Sequence, residues 1–314
     1  MADQSPIIFP GSASPQLTRS ICQHLGVEPG LCEAFKFSEG NTFVRILENV
    51  RGRDVFFVQT LSHPVNDNFM ELLFWIDAAK RASAAQVTAV IPFFSYAKGD
   101  KKDEPRVSIR ARACADCLEA VGVDRVLTMD LHAPQIQGFF RVPVDHLYAM
   151  SVLKDHMTAG DNGLVVVSPD VGFAERARLY AAFLKADVAV ADKMRRSHDE
   201  RAYVQGIIGT VAGKKAVVVD DFTITGWSLI ETAQGLLQCG ATEVCAMVTH
   251  GILAKGAAQR IQDSPIRQLL MTDTIEHRYE PLTPKIQIVS VAPLFAEAIR
   301  SIHERTSVSR LFAI

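Results

Sequence analysis

Short runs of consecutive apolar residues recur along the chain, separated by longer segments with helical spacing. Runs of this length, rich in valine and isoleucine and bounded by polar residues, are typical of strands that are buried on both faces of a parallel sheet. They predict strands at 55–58, 87–91, 126–129, 164–167, 188–191, 216–219 and 244–248. The alternation of such strands with helices predicts an α/β fold.

Two of the intervening segments show a clear helical period. Apolar residues recur every three or four positions in 66–80, and alanine and leucine do so in 174–184. In the first segment Met70, Phe74 and Trp75 fall outside the main apolar stripe, so this helix needs to be covered on more than one side. A thick core and a subunit interface both remain open for it.

The length of 314 residues predicts about two domains. The segment 143–146 ends one series of strand and helix units, and a new series starts at Leu153. We therefore expect an N-terminal α/β domain over residues 1–146 and a C-terminal one over 147–314. The C-terminal segment is expected to pack back on the first domain.

The most informative motif is VVVDDFTITGWSL at 217–229. An apolar run halts at Asp220 and Asp221 and is followed by a short loop that enters a helix. Two carboxylates at the carboxyl edge of a parallel sheet suit the vicinal hydroxyls of a ribose. The loop adds backbone amides, hydroxyls and the positive end of a helix dipole, which suit a phosphate monoester. The alternative is structural: Ser228 and Glu231 could form a capping box.

Further polar residues follow two other predicted strands. Asp170 lies in SPDVG at 168–172, and Asp130 and His132 lie in TMDLHAPQ at 128–135. Such groups can hold a divalent cation, and magnesium needs only one or two protein ligands beside phosphate oxygens and water. Taken singly, residues of this kind are more often helix caps or satisfied loop residues.

Cationic residues cluster in two segments. Tyr96–Arg106 contains three lysines and an arginine, and either a solvated loop or a polyphosphate contact explains it. Ala191–Arg201 places Lys193 and Arg195 just beyond a predicted strand, in a stretch without apolar periodicity. That pattern favours a flap that brings positive charge to a transferring phosphoryl group.

Composition restricts the class of protein. Lys and Arg number 33 against 35 Asp and Glu, with a pI of about 6.5, so there is no basic field of the kind that nucleic-acid binders show. Residues 1–16 lack the charged and apolar parts of a signal peptide, and no apolar run reaches the roughly 18 residues that span a bilayer. We expect a cytoplasmic protein without nucleic-acid or membrane partners.

Six cysteines are too few in a chain of this length for a disulfide framework. Cys114 and Cys117 have a CxxC spacing, but no second ligand pair lies nearby and their setting is helical. We expect reduced, partly buried thiols and neither a zinc nor a redox site.

Many segments together resemble one family. The chain is similar to the ribose-phosphate diphosphokinases over nearly its whole length, in segments such as ENVRGRDVFFVQ at 48–59, TMDLHAPQIQGFF at 128–140, SPD at 168–170, the VDD and TG residues of 219–226, THGIL at 249–253 and SVAPLFAEAIRSIH at 290–303. The resemblance implies two type I phosphoribosyltransferase-like domains, each a mainly parallel sheet flanked by helices. It also implies transfer of the β,γ-diphosphoryl group of ATP to the C1 hydroxyl of ribose 5-phosphate, Mg²⁺ as cofactor and a dimer-based homo-oligomer, hexameric in the main class.

The resemblance also assigns roles to residues of this chain. Ribose 5-phosphate would be bound by Asp220, Asp221, Thr225, Gly226 and Ser228. ATP would be bound by Phe37, Glu39, Asn41, Lys98, Gly99, Asp100 and His132, with Phe37 stacked on the adenine. Metal would be bound by His132 and Asp170, and the catalytic cations of the flap would be Lys193 and Arg195.

Several positions depart from the family pattern. In the phosphate loop, Ile224 replaces an acidic residue and Trp227 replaces a glycine. At the nucleotide site, Asn41 stands for Glu, and Lys98 and Gly99 stand for Arg and Gln. These departures concern nucleotide choice and rate more than reaction type.

Two other functions compete with the synthetase. A phosphoribosyltransferase would use the same ribose-phosphate loop, but the flap cations and the matching N-terminal half argue against it. A non-catalytic regulatory relative would keep the fold and lose the chemistry, but it would have no use for the flap cations.

Overall fold

A computed structural model of the chain describes residues 5–156, 163–195, 202–277 and 281–312. The chain divides into two compact units. The first runs to Tyr148 and also contains Thr274–Glu276 and the C-terminal segment from Val291. The second contains Ala149–Asp273 and His277–Ser290.

The first unit is built on a parallel sheet. Its elements in chain order are β1 (Ile7–Pro10), α1 (Pro15–Leu25), β2 (Cys32–Lys36), β3 (Thr42–Ile46), β4 (Asp54–Val58), α2 (Val65–Arg81), β5 (Gln86–Ile91), α3 (Arg110–Ala120), β6 (Arg125–Met129) and β7 (Val144–Leu147). The strands of the sheet have the order β1-β4-β5-β6-β7, and each neighbouring pair is parallel. β2 and β3 form a separate antiparallel hairpin.

The second unit contains a larger sheet. Its elements are α4 (Met150–Leu153), β8 (Leu164–Ser168), α5 (Ala174–Leu184), β9 (Asp187–Arg195), β10 (Ala202–Ile208), β11 (Lys215–Thr223), α6 (Trp227–Gln238), β12 (Glu243–Gly251), α7 (Ala257–Asp263), β13 (Leu269–Thr272) and β14 (Ile286–Val289), and α8 (Ala292–His303) then returns to the first unit. The strand order is β10-β9-β8-β11-β12-β13-β14. β10 pairs antiparallel with β9, and the other neighbours are parallel.

Aromatic rings organise the core of the first unit. Phe57 of β4 stacks on Phe9 of β1 with ring centroids 5.3 Å apart and on Trp75 of α2 at 5.7 Å. All three side chains are buried, and burial of a large apolar side chain contributes about 1.5–3 kcal/mol. Trp75 therefore belongs to the core, whereas Met70 and Phe74 on the same helix stay exposed in the single chain.

Each of the seven predicted strands is present, and the α/β class is confirmed. The predicted helices at 66–80 and 174–184 are α2 and α5. The short strands β1, β7, β13 and β14, of four residues each, were not predicted. Among the described residues, no helix is both long enough and apolar enough to cross a lipid bilayer.

Candidate active site

Three aspartates meet at the carboxyl edge of the sheet in the second unit. β8 and β11 are adjacent parallel strands, so Asp170, which follows β8, lies on the same edge as Asp220 and Asp221 of β11. The expectation that the strand halts at the aspartate pair is wrong. β11 continues to Thr223 because its pairing with β12 extends to Gly251.

The acidic cluster is electrostatically unfavourable in the protein alone. The pKa of Asp220 is raised well above its usual value, first because burial disfavours the charged form, and next because the carboxylates of Asp221 and Asp170 repel it. The backbone N–H of Asp221 donates to Oδ1 of Asp220 at 2.9 Å and partly offsets this shift. Sugar hydroxyls, which donate hydrogen bonds, or a cation would relieve the repulsion.

Asp170 has a second, structural role. Its Oδ1 accepts a hydrogen bond from the backbone N–H of Phe173 at 3.0 Å and caps the short 3₁₀ helix Val171–Phe173. This is the helix-cap role that residues of this kind usually have. The carboxylate is exposed at the sheet edge, so the cap does not remove it from solvent.

The loop after β11 presents the amino end of α6. Gly226 is the N-cap residue of this helix and has a left-handed backbone with φ 81°, a conformation that favours glycine. The capping-box alternative is therefore wrong: Ser228 lies in the first turn of the helix and not at its cap. Thr225, Gly226 and Ser228 lie together at a helix end, where backbone N–H groups attract anions.

Arg260 of α7 adjoins this loop and was not predicted from the sequence. Its Nε donates to the carbonyl oxygen of Thr225 at 3.0 Å, and its guanidinium carbon lies 5.7 Å from the centroid of the Trp227 ring. A residue 35 positions away in the chain carries no local signal for this contact.

The predicted flap is the outer part of a β-hairpin. β8 and β9 pair as far as Ser168 and Val190, and β9 then continues to Arg195 while it pairs with β10. Lys193 and Arg195 thus lie within β9, two positions apart, past the carboxyl end of β8. The expectation that they follow the strand is wrong, because pairing with β10 extends it. Residues 196–201, including Arg196, lie outside the described residues.

In the first unit, three predicted ATP-binding residues occupy the turn between β2 and β3. Phe37 is 45% exposed and packs edge-to-face on Phe35 and Phe43, with ring centroids 5.1 Å and 5.7 Å away. Glu39 accepts a hydrogen bond from Nδ2 of Asn41 at 3.2 Å. The hairpin therefore presents an aromatic surface beside a carboxylate, a combination that suits a stacked base.

The other ATP-side residues follow β5 and β6, which are neighbouring parallel strands. Lys98 ends the 3₁₀ helix Ser95–Lys98 and is exposed, and Asp100 is half-buried. Gly99 is buried against Arg110: an added Cβ would lie 2.5 Å from the Arg110 Nε. This packing explains why glycine stands there, because any side chain would displace Arg110.

His132 is exposed and lies just past the end of β6. The turn before it is unusual, since Asp130 has φ 39° and is buried. The backbone N–H of Leu131 donates to Nε2 of the buried His146 on β7 at 2.8 Å. His146 is a second residue that the sequence did not single out. It holds the turn from which His132 extends.

A metal ion at this site would be bound by aspartate carboxylates together with oxygens of the substrate. Within the described residues, no group of three or more His, Cys, Asp or Glu side chains is arranged to hold a metal ion. Magnesium does not require such a group when phosphate oxygens supply the other ligands, so the aspartates of the second unit fit it chemically. Asp170 lies in the second unit and His132 in the first.

Burial keeps the thiols of three of the six cysteines protonated. All six are free, and burial raises the pKa of the Cys22 and Cys114 thiols to about 12 and that of Cys32 to about 11. Thiols with such pKa values are protonated at neutral pH and are poor nucleophiles and metal ligands. The prediction of partly buried thiols is confirmed for Cys22, Cys32, Cys114 and Cys245 and is wrong for Cys117 and Cys239, which are exposed.

Comparison with known proteins shows to which family the chain belongs. The family model described as the N-terminal domain of ribose phosphate pyrophosphokinase matches residues 6–122, and the phosphoribosyl synthetase-associated domain matches residues 200–313. A ribose-phosphate pyrophosphokinase of Caldanaerobacter subterraneus is 49% identical over 307 residues, which cover 97% of each chain. This chain belongs to the ribose-phosphate pyrophosphokinase family. The ribose-phosphate pyrophosphokinase of Clostridium acetobutylicum is 46% identical over 308 residues, which cover 97% of this chain and 96% of that protein.

A solved structure agrees with this assignment. The crystal structure of phosphoribosylpyrophosphate synthetase from Mycobacterium smegmatis is similar with a TM-score of 0.90 at 36% identity, covering 96% of this chain and 99% of that one. The resemblance stated from the sequence is confirmed, and so is the interpretation of the chain as an enzyme of this family. As a ribose-phosphate pyrophosphokinase, the chain has a structural explanation for two of its departures: Trp227 packs on Arg260, and Gly99 accommodates Arg110.

Proposed function

We propose that this protein transfers the β,γ-diphosphoryl group of ATP to the C1 hydroxyl of ribose 5-phosphate, producing 5-phosphoribosyl 1-diphosphate and AMP. The observation that carries the proposal is similarity to ribose-phosphate pyrophosphokinases over 97% of the chain. The acidic strand end and the loop at the amino end of α6 support it.

The second unit would bind the sugar. Asp220 and Asp221 would accept hydrogen bonds from the ribose hydroxyls, which would relieve the repulsion that raises the pKa of Asp220. The 5-phosphate would lie against the loop Thr225–Ser228, where the first amides of α6 and the hydroxyls of Thr225 and Ser228 suit its oxygens. Binding at both ends would orient the C1 hydroxyl.

The transfer itself would depend on alignment and charge. The C1 oxygen would attack the β-phosphorus in line while the bond from that phosphorus to the bridging oxygen of AMP breaks. Lys193 and Arg195 would meet the negative charge that develops on the migrating group, which is usually the largest contribution that a protein makes to such a reaction.

The first unit would bind ATP. Phe37 would stack on the adenine, with Glu39 and Asn41 beside it, and Lys98, Gly99, Asp100 and His132 would line the remainder of the nucleotide site. Mg²⁺, bound with ATP, would neutralise charge on the phosphate oxygens. His132 and Asp170 are the residues that we propose to hold it, because imidazole and carboxylate groups complete a coordination shell made largely of phosphate and water.

Phosphorus NMR of the protein with Mg²⁺, ATP and ribose 5-phosphate tests the proposal. We expect AMP and a new diphosphate ester to appear together. Turnover of 5-phosphoribosyl 1-diphosphate with a free base would instead identify a phosphoribosyltransferase, and binding without turnover a regulatory relative. No observation in this chain favours either alternative over the synthetase.

We further propose a cytoplasmic, dimer-based homo-oligomer, and sedimentation of the active enzyme as a monomer would contradict that state.

A further inference from the structure

The ribose-phosphate loop is held from one side by a single neighbouring segment. The carbonyl oxygens of Thr223 and Ile224 accept hydrogen bonds from the backbone N–H groups of Ile252 at 2.9 Å and Ala254 at 2.7 Å. The next carbonyl, that of Thr225, accepts from Nε of Arg260 at 3.0 Å. Three consecutive carbonyls therefore point to the segment 252–260.

The bond from Ile252 to Thr223 continues the pairing of β11 with β12, and the pattern departs from strand geometry from Ile224 onward. This departure has a consequence for the loop amides. Successive carbonyls in a strand point to alternate sides. In a planar trans peptide, the C=O of one residue and the N–H of the next point in opposite directions. Because Thr223, Ile224 and Thr225 direct their carbonyls to one side, the next N–H groups are directed away from segment 252–260 together. Consecutive amides that point in one direction form a concave site for an anion.

Of these three peptides, the one between Thr225 and Gly226 depends most on an additional contact to keep its orientation. Two of the three carbonyls are held by backbone donors, but the Thr225 carbonyl is held by a side chain. The peptide from Thr225 to Gly226 precedes a glycine with φ 81°, and glycine tolerates both signs of φ. Rotation of this peptide would meet little steric resistance, and it would turn the Gly226 N–H away from the anion site.

We propose that Arg260 is a positioning residue for ribose 5-phosphate: it fixes the Thr225–Gly226 peptide so that the Gly226 N–H points to the 5-phosphate. Trp227 supplies the surface against which the guanidinium is held, since the ring centroid lies 5.7 Å from the guanidinium carbon. The inference rests on the proposed function, because it takes the loop to bind the phosphate of that substrate.

Steady-state kinetics and direct binding test this role. In Arg260→Ala, the KM for ribose 5-phosphate should rise by about tenfold to a hundredfold, the range for a lost hydrogen bond from a charged donor. The KM for ATP should stay unchanged, and kcat should fall by less than the KM rises. Arg267→Ala is the matched control: it also removes an arginine from the second unit, but Arg267 is 70% exposed and pairs with Glu243 at the start of β12.

Tryptophan fluorescence measures the binding of ribose 5-phosphate in the absence of turnover. The chain has two tryptophans, the buried Trp75 and Trp227 at the start of α6, so a ligand that reaches the loop before α6 should change the emission of Trp227. Ribose 5-phosphate is the probe, with ribose as the ligand that lacks the phosphate. Arg260→Ala should weaken binding of ribose 5-phosphate and leave that of ribose unchanged.

Two further measurements separate positioning from a merely structural role. Free guanidinium at millimolar concentration should lower the raised KM of Arg260→Ala toward the wild-type value and have no effect on the wild type. Trp227→Leu should also raise this KM, and the double variant should be no worse than Arg260→Ala alone, because both residues act through one peptide. The double variant is followed by kinetics, since it lacks the fluorescent probe.

The possible failures are distinguishable. If the wild type does not bind ribose 5-phosphate, the proposed function is wrong. If the wild type binds it and Arg260→Ala binds it equally tightly, the role of Arg260 is wrong and the proposed function stands. Equal loss of affinity for ATP and ribose 5-phosphate with a lower Tm and no rescue by guanidinium would make Arg260 a folding residue and would also overturn the inference.

Discussion

At the scale of single residues, the carboxylate of Asp220 lies where it can bind a ligand, and its position there lowers the stability of the folded protein. Its pKa is raised above the usual value of 3.8, because of burial and the neighbouring Asp221 and Asp170 carboxylates. Above the unfolded pKa and up to the folded pKa, the folded state binds more protons than the unfolded state. Stability therefore falls as the pH rises through this window. The destabilisation is complete above the folded pKa and absent below the unfolded one.

Asp220→Asn should therefore stabilise the protein at neutral pH. The amide has no charge to desolvate and can donate to the Asp221 carboxylate, so Tm should rise by a few degrees at neutral pH and change little near pH 4. Thermal unfolding at several pH values measures this, and affinity for ribose 5-phosphate should fall in the same variant. Asp187→Asn is the control, since Asp187 is 72% exposed and should leave the pH dependence of Tm nearly unchanged. A lower Tm for Asp220→Asn at neutral pH would contradict the electrostatic argument.

The second prediction at the residue scale concerns Lys193 and Arg195, the proposed catalytic cations. Lys193→Ala and Arg195→Ala should each lower kcat by about a hundredfold or more, the effect of losing one preorganised cation or donor in the transition state. The KM values should move far less, because the proposed role of these residues is to stabilise charge that develops during transfer. Steady-state kinetics with both substrates measures the two effects.

Arg196→Ala serves as the control for the cations, because the family resemblance does not assign that position a role. It should have a mild effect. If the three variants lose activity equally and only through raised KM, the hairpin is a binding or folding element and the assigned chemistry fails.

At the scale of secondary structure elements, α1 is capped by a residue that is distant in sequence. The hydroxyl of Ser14, the N-cap residue, accepts a hydrogen bond from the Thr60 N–H and does not cap the helix. Oε1 of Glu276 accepts instead from the N–H groups of Gln16 at 2.6 Å and Leu17 at 3.1 Å. The carboxylate thus satisfies two amides at the positive end of the helix.

Glu276→Ala should destabilise the protein by about 1 kcal/mol, the usual effect of losing an N-cap acceptor. Glu276→Gln should lose less, because an amide oxygen still accepts hydrogen bonds but lacks the charge that favours a helix N-terminus. Denaturant unfolding measures both changes. Glu304→Ala, an exposed change just after α8, should have little effect. Equal stability of Glu276→Ala and wild type would show that the cap contributes nothing in solution.

At the scale of the whole molecule, the predicted ATP-side residues lie in the first unit and the predicted ribose-side residues in the second. This division predicts that the two substrates respond separately to mutation. His132→Ala should weaken the apparent affinity for Mg²⁺ and for ATP by about tenfold or more. Affinity for ribose 5-phosphate should stay nearly unchanged. Magnesium titration of the activity and the fluorescence of Trp227 measure the two effects, and an unchanged magnesium dependence would count against the metal role of His132.

Much of the fold and of the proposed ribose-phosphate loop was predictable from the sequence because the signals are local. A buried parallel strand needs consecutive apolar residues, so the runs at 216–219 and 244–248 identified β11 and β12 without their partners. Likewise, the aspartate pair, the Thr225–Gly226 loop and the start of α6 follow one another within a few residues. The sequence by itself therefore determined the α/β class, the motif and the family resemblance.

Contacts between distant residues were decided only by the tertiary structure. β11 runs past Asp221 because β12 lies beside it, Glu276 caps a helix 260 positions away, and Arg260 reaches the carbonyl of Thr225. The pKa shift of Asp220 likewise depends on Asp170, which belongs to another strand end. A local pattern specifies which element forms, but partners that meet only after the sheet is assembled leave no periodic or compositional signal along the chain.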